Sequence, residues 1–435
     1  MKFKHLLLTA SVMALFSSCS NDELVSENTS HGDAIAFSVT TTNATRAADY
    51  WCNNNLPNNF AVSAAYCDGT STAFYFKDDV FKKDGEAGNY VTNDGNYRYW
   101  PELPGTTPDP ISKYVNIYAY KIKDDAAATG DGFAKFEWTD ATAAPTISMT
   151  PAKTAAEQHD LLYAYTQVTA KPAYGAKTAI NFRHALSQIV FYAKCENEKV
   201  YVEIEEIALY NAAKSGKFTL PTGDNTTGTN LDNHNQTGEF NDTHKGFGTW
   251  DLTYGATEED KAYRAYTASC AKALTPGKTD WTNLTDQVNA GGTYTESEYE
   301  QSLLVLPQTN YGAGKANNNL AAYVPGNGSL KTQGGACIAI KCKIRNIAGA
   351  SVANNDVYLW GDKQTDGSYK AKDLVVPVDF NWEQGKKYIY RINFSKLGHG
   401  GYDPGTGDEV LVPIQLTVKV DDFAEVTDTN LSQDI

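Results

Sequence analysis

A period of two residues runs through this chain and limits what it can fold into. Val410, Val412, Ile414, Leu416, Val418 and Val420 alternate without a break with Leu411, Pro413, Gln415, Thr417 and Lys419. Successive side chains of an extended strand point to opposite faces, so the pattern puts six apolar residues on one face. Strand-like segments recur over residues 114–122, 187–195, 199–210, 337–345 and 387–394. Between them lie stretches rich in Gly, Asn, Asp, Thr and Pro, the residues that supply turn geometry. Helical patterns are confined to short turns over 155–164 and 294–301. Many strands, Gly-rich turns and no alternating helices predict an all-β chain built of sandwiches rather than a parallel sheet. The polar stretches 221–246 and 309–335 are too long for hairpin loops and are expected to be surface excursions or to hold extra hairpins.

The 435 residues suit two or three domains. A hydrophobic fraction of 41% and an aromatic fraction of 12% are enough for packed cores. The formal charge of −15 argues against nucleic acid as a partner, because phosphate neutralisation needs a basic face. It argues equally against charge-driven adhesion to an anionic membrane.

The first 47 residues carry a series of signals. Lys2 and Lys4 precede an apolar run over 6–16. That run is shorter than the ~20 residues a spanning helix needs and fits a secretory signal instead. Phe16-Ser17-Ser18-Cys19 resembles a bacterial lipobox, with Phe16 where Leu is usual, which makes Cys19 the candidate lipid acceptor. The polar, acidic Ser20-Asn21-Asp22-Glu23 resembles a lipoprotein surface-export signal. Ile35, Phe37 and Val39 then share one face, as in a half-buried strand. Thr45-Arg46-Ala47 follows in a polar run, and Arg46 is the only Arg before Arg98, so the bond between Arg46 and Ala47 is a candidate site for a trypsin-like protease.

Of seven cysteines, six remain if Cys19 takes lipid: Cys52, Cys67, Cys195, Cys270, Cys337 and Cys342. Disulfides are permitted but not demanded. Cys337 and Cys342 should face opposite sides of one strand, with Cys342 in the core. No C-x-x-C occurs, so no zinc ribbon or thioredoxin motif is indicated.

The tail mirrors the head. Residues 398–409 contain five glycines and a proline and are expected to form a flexible lead into the alternating segment 410–420. Pro413 lacks an N–H, which suits an edge or inserted strand. The segment is either a strand donated to another chain or the last core strand of its own domain.

Several segments in order resemble a family. Asp160-Leu161-Leu162-Tyr163-Ala164 precedes Ile180-Asn181-Phe182-Arg183-His184-Ala185-Leu186-Ser187-Gln188-Ile189. Residues 204–211, Leu303-Leu304-Val305-Leu306-Pro307-Gln308 and the run 380–390 follow. The Phe-x-His-Ala-Leu at 182–186 and Trp-x-x-Gly-Lys-x-Tyr at 382–388 are the strongest matches. With the head, the chain resembles the Bacteroidetes fimbrillin family, the Mfa-like and FimA-like pilins of type V pili, over essentially its whole length. The resemblance implies two β-sandwich domains of transthyretin-like topology and export as an outer-membrane lipoprotein. It further implies cleavage after Arg46, loss of the strand carrying Ile35, Phe37 and Val39, and filling of the vacated groove by a neighbour's strand. The expected layout is a signal peptide at 1–19, a propeptide at 20–46, and domains at 47–175 and 176–435. The expected partners are other fimbrial subunits, in a homopolymer or a mixed pilus, and a ligand on a host or bacterial surface. No cofactor or metal is expected.

The scheme has a physical basis. Loss of an edge strand exposes apolar residues and unpaired N–H and C=O groups, which another chain restores by β-strand addition. Six apolar side chains contribute a gross ~9–18 kcal/mol, offset in large part by ordering the strand. Because the joint is heterologous, it yields an open filament. Val410, Val412, Ile414, Leu416, Val418 and Val420 are the candidate donor residues.

Other classes find less support. No G-x-S-x-G, H-E-x-x-H or P-loop occurs, although abundant Asp and Glu leave room for a glycosidase pair. His184 is expected to order a turn or cap a strand. Seven Trp could stack on sugars in a monomeric glycan-binding lipoprotein but show no shared spacing. The acidic stretch 124–132 lacks EF-hand spacing. Within a pilus, a tip adhesin or an anchor is the alternative to a polymerising stalk subunit.

Overall fold

The computed structural model describes residues 34–41, 57–85, 89–92, 97–101, 103, 113–122, 132–221, 247–253, 266–285, 302–312, 324, 334–348, 356–410 and 414–422. The protein is all-β, and its one described helical element is a 3-10 turn, Ala155–Glu157.

The first half contains β1 (Phe37–Thr41), β2 (Asn59–Cys67), β3 (Thr72–Lys83), β4 (Asn89–Thr92), β5 (Tyr114–Lys121), β6 (Phe133–Glu137), β7 (Thr146–Thr150), β8 (Leu162–Val168) and β9 (Thr178–His184). Seven of these form a closed sheet in the order β1-β4-β3-β2-β5-β8-β9. Closure comes from β1, which pairs antiparallel with β4 and parallel with β9. Alternation fills the interior: Phe60, Val62 and Ala64 of β2 meet Val115, Ile117 and Ala119 of β5. The expectation that the first strand lies at an edge is corrected here, because β1 has a partner on each side.

The second half begins after a two-residue step. It comprises β10 (Ser187–Cys195), β11 (Val200–Tyr210), β12 (Ser215–Thr219), β13 (Thr249–Thr253), β14 (Tyr266–Leu274), β15 (Thr282–Asn283), β16 (Leu303–Val305), β17 (Gln308–Asn310), β18 (Cys337–Asn346), β19 (Val357–Trp360), β20 (Asp362–Lys363), β21 (Tyr369–Lys370), β22 (Lys372–Pro377), β23 (Phe380–Trp382), β24 (Lys386–His399) and β25 (Ile414–Asp422). Two sheets face each other. One runs β15-β10-β24-β25 with β16 beside β10; the other runs β14-β11-β18-β19 with β22 beside β18. Ile189, Phe191 and Ala193 of β10 pack with Tyr388, Tyr390 and Ile392 of β24 against Ile204, Ile340 and Cys342.

A four-stranded sheet, β13-β12-β7-β6, takes strands from both sides of the turn near residue 175. Its inner face and the outer face of the closed sheet bury Tyr118, Tyr163, Ile147, Phe218, Leu186 and Leu306 in one cluster. Phe218 meets Tyr163 edge-on with centroids 4.7 Å apart, and Gly248 lets the chain cross it, since a Cβ there would lie 2.1 Å from the ring. This shared core ties the two halves together.

The expected strands at 114–122, 187–195, 199–210, 337–345 and 387–394 correspond to β5, β10, β11, β18 and β24. Of the predicted helical turn at 155–164, only Ala155–Glu157 is helical, and β8 starts at Leu162. The other predicted turn, 294–301, lies outside the described residues.

Cys342 sits in the sandwich core and Cys337 on the opposite face with Ala208, Tyr210 and Val375, as the alternation requires. Both are free thiols, as are Cys195 and Cys270. Burial pushes the Cys195 thiol up to about 11 and Cys270 up to about 12, and raises Cys337 and Cys342 as well. These four should resist a thiol-specific chromogenic reagent in the native protein and react only after denaturation; prompt native labelling would contradict the packing. Phe218→Ala should cost about 3–5 kcal/mol in urea unfolding, because the ring has no exposed side onto which the core could relax.

Candidate strand-exchange site

The site is the seat of β1. Ile35, Phe37 and Val39 all point into the barrel, and Phe37 is 0% exposed. The Phe37 ring lies edge-on to Phe81 at 4.8 Å and 6.3 Å from Phe60. Phe60 in turn meets Tyr90 at 4.8 Å and Phe182 at 5.0 Å, so the middle of the seat is an aromatic box. Burial pushes the Tyr90 phenol up to about 12, and its hydroxyl donates to the Pro57 carbonyl at 2.5 Å.

The backbone of β1 is held along its length. Phe37 to Thr41 register against Thr178 to Phe182 of β9, and Phe37 and Ser38 against Tyr90 and Asn89 of β4. Beyond the strand, Ile35 N–H donates to the Arg98 carbonyl at 2.6 Å, and Thr178 N–H donates to the Ala36 carbonyl at 2.9 Å. Arg98 is itself fixed by an ion pair to Asp79. Withdrawing this segment would strip pairing partners from two strands at once.

The floor of the seat leads directly into the second half. At the end of β9, buried His184 places Nδ1 2.5 Å from Asp160 Oδ2, and Leu161 N–H donates to Asp160 Oδ1 at 2.8 Å. A carboxylate only accepts, so the imidazole Nδ1–H donates. Ala185 N–H donates to the Leu161 carbonyl, Trp250 Nε1–H donates to the Ala185 carbonyl, and Gly385 N–H donates to the Leu186 carbonyl. The Phe-x-His-Ala-Leu segment is therefore the joint itself, with His184 fixing its turn.

The other candidate strand lies far along the chain. β25 pairs antiparallel with β24 from Asp422 against Lys386 to Ile414 against Phe394, and forms the free edge of its sheet. Val410 and Ile414 are buried, Leu416 and Val418 half-buried, and Val420 is 52% exposed, so the apolar face is less covered than that of β1. Of the six-residue apolar face expected over 410–420, the described strand carries Ile414, Leu416, Val418 and Val420, and Val420 projects beyond the core.

The expectation of a flexible lead is corrected. Tyr402 exchanges backbone bonds with Val375 of β22 at 2.8 and 2.9 Å and packs against Ala208, Tyr210 and Cys337. Asp403 pairs with Lys372 and accepts from Gly405 N–H at 2.9 Å. Val410 N–H donates to the Gly401 carbonyl at 2.7 Å. A side chain at Gly400 would meet the Val410 carbonyl at 1.9 Å, so the glycines here serve close approach.

Cys19, Arg46, Ala47 and Val412 lie outside the described residues, as do 123–131. The seat brings together residues that sequence reasoning did not single out, Phe60, Phe81 and Tyr90. Among the described residues no group of three His, Cys, Asp or Glu could hold a metal ion, and no helix is long and apolar enough to cross a membrane.

The described residues thus form an all-β protein whose first half is closed by β1 and whose second half is edged by the half-covered β25. The chain belongs to the fimbrillin-like family, whose model matches residues 26–420. It is similar to a fimbrial protein from Bacteroides vulgatus, at 11% identity and a TM-score of 0.45, over 89% of this chain and 99% of that one. It is also similar to a fimbrial assembly protein from Parabacteroides distasonis, at 10% identity and a TM-score of 0.32, over 89% of this chain and 98% of that one. No curated protein matches it.

Tyr402→Ala should release the lead. Amide hydrogen exchange at Val375, Tyr402 and Val410 should speed up at least about tenfold, while β2 and β5 stay protected. Unchanged exchange at those three amides would show that the lead is not pinned by Tyr402.

Proposed function

We propose that this chain is a structural subunit of a cell-surface fimbria, exported as a lipoprotein on Cys19, activated by cleavage after Arg46 and polymerised by strand exchange. The observation that carries this reading is the contrast between the two strands. β1 is buried and paired on both sides, and Arg46 lies five residues beyond its end at Thr41. Among the described residues β25 is paired on one side only and half covered. Cleavage would turn the first into a vacancy, and the second is the segment that gains by filling one.

The two strands also match in pattern. Inward positions of β1 read Ile35, Phe37, Val39; those of β25 begin Ile414, Leu416, Val418. Three side chains leaving the seat forfeit roughly 5–9 kcal/mol of apolar burial, and the broken pairing with β4 and β9 adds to that. A neighbour's strand running parallel to β9 restores both. Donor and acceptor are different surfaces, so each joint leaves a free donor and a free seat at the two ends, and the assembly grows as a filament. Residues 400–413, fully extended at about 3.3 Å each, would reach about 46 Å once the lead undocks. In this reading residues 1–19 direct export, 20–46 are removed, and the parts from 47 and from 176 form the mature subunit. Its partners are other fimbrial subunits, and the lipid is only a tether before processing.

Two variants test the scheme. Arg46→Ala should leave a lipid-bearing monomer, while the wild type gives a mature N-terminus at Ala47 by mass spectrometry and ladders on an unboiled denaturing gel. Arg391→Cys with Thr417→Cys, at directly opposed positions of β24 and β25, should lock the tail at home. Ladders should then form only after reduction. Ladders from Arg46→Ala, or from the oxidised double variant, would refute the proposal.

A further inference from the structure

We infer that the vacated β1 seat is shaped for a donor strand with an aromatic side chain at the middle of its three inward positions, and so for a subunit other than a second copy of this chain. The inference rests on the strand-exchange reading and names the partner for the same seat. Phe37 occupies the centre of the seat edge-on to Phe81 and beside Phe60, with Tyr90 and Phe182 closing the box around Phe60. The chain's own alternating segment cannot reproduce that ring in any register. Its inward positions are Val410, Val412, Ile414, Leu416, Val418 and Val420, all aliphatic. The nearest aromatic, Phe423, belongs to the opposite face; turning it inward would bury Asp421 and Glu425 at the flanking positions, which is unfavourable without partners.

The best self-match is instructive. Ile414, Leu416 and Val418 reproduce Ile35, Phe37 and Val39 at the two outer positions and differ only in the centre. A leucine there fills less volume and gives up the edge-on ring contact, and aromatic pairs gain beyond the area they bury. A strand reading apolar, aromatic, apolar at alternate positions would fill the box as β1 does. The same difference disfavours spontaneous invasion of the uncut seat by a second copy's tail, because β1 is the better-fitting strand until Arg46 is cut.

The test uses the full chain with Cys19→Ala and the oxidised Arg391→Cys, Thr417→Cys lock, cut by trypsin after Arg46 in the presence of fluorescent peptides. Four peptides are compared: residues 34–41, residues 414–422, the latter with Leu416→Phe, and the latter with Ile414→Phe as a control for added hydrophobicity. The 34–41 and Leu416→Phe peptides should dissociate at least about fivefold more slowly than the 414–422 peptide, and Ile414→Phe should give no such gain. Equal dissociation of the 414–422 and Leu416→Phe peptides, or an equal gain from Ile414→Phe, overturns the inference and leaves strand exchange standing. Failure of all four peptides to bind overturns both together.

Discussion

The fold depends on one backbone arrangement: five residues of β1 lie parallel to β9 while Phe37 and Ser38 also pair with β4. A sheet that closes on itself has no edge to offer. Remove that segment and the seven-stranded closed sheet becomes an open one with two unsatisfied edges and an aromatic box facing solvent. No other described strand of the first half combines this topological role with a terminal position in the chain. In the same sheet β2, β5 and β8 are also covered on their outer faces by the shared core, so they cannot leave without breaking the link to the second half.

That link makes the two halves mechanically one body. β9 ends at His184 and β10 starts at Ser187, so the strand that lines the seat continues almost without interruption into the strand that supports β24 and, through it, β25. The buried His184–Asp160 pair and the Trp250 bond to the Ala185 carbonyl fix the step between them. A strand held against β9 is therefore separated from the β10–β24–β25 sheet by only two residues of chain. Parallel pairing recurs at both stations, β1 with β9 and β10 with β24.

Local pattern was legible in the sequence, and pairing was not. Period-two alternation located β5, β10, β11, β18 and β24 to within a residue or two at their starts, because burial of one face writes itself into consecutive residues. The same alternation placed Cys337 and Cys342 on opposite faces. It could not say that Ile35, Phe37 and Val39 sit inside a closed sheet, since the partners Thr178–Phe182 and Asn89–Tyr90 are distant in sequence. Glycine content misled at 400–409: five glycines over 398–409 read as freedom, yet Gly400 and Gly401 are there so that the backbone can approach Val410 and Leu374 closely. Tyr402 and Asp403 were the signals that this stretch is docked, an aromatic and a carboxylate placed where a linker needs neither. The aromatic box was within reach only in outline, through Phe182 in the Phe-x-His-Ala-Leu segment.

On the proposed strand-exchange scheme, the docked lead and the occupied seat would together keep a chain that carries both halves of a joint monomeric. β25 at home satisfies one edge of β24, and Tyr402 with the Lys372–Asp403 pair holds the approach to it. In the proposed exchange, moving β25 into another subunit would break that pairing and re-form it against two strands instead of one, and would be downhill only where a seat is empty, since an occupied seat offers no backbone partner in return. In the proposed scheme, cleavage at the head would set the direction of a process whose moving part is at the tail, and the two would be coupled through the supply of vacant seats on neighbouring subunits rather than by contact within one chain.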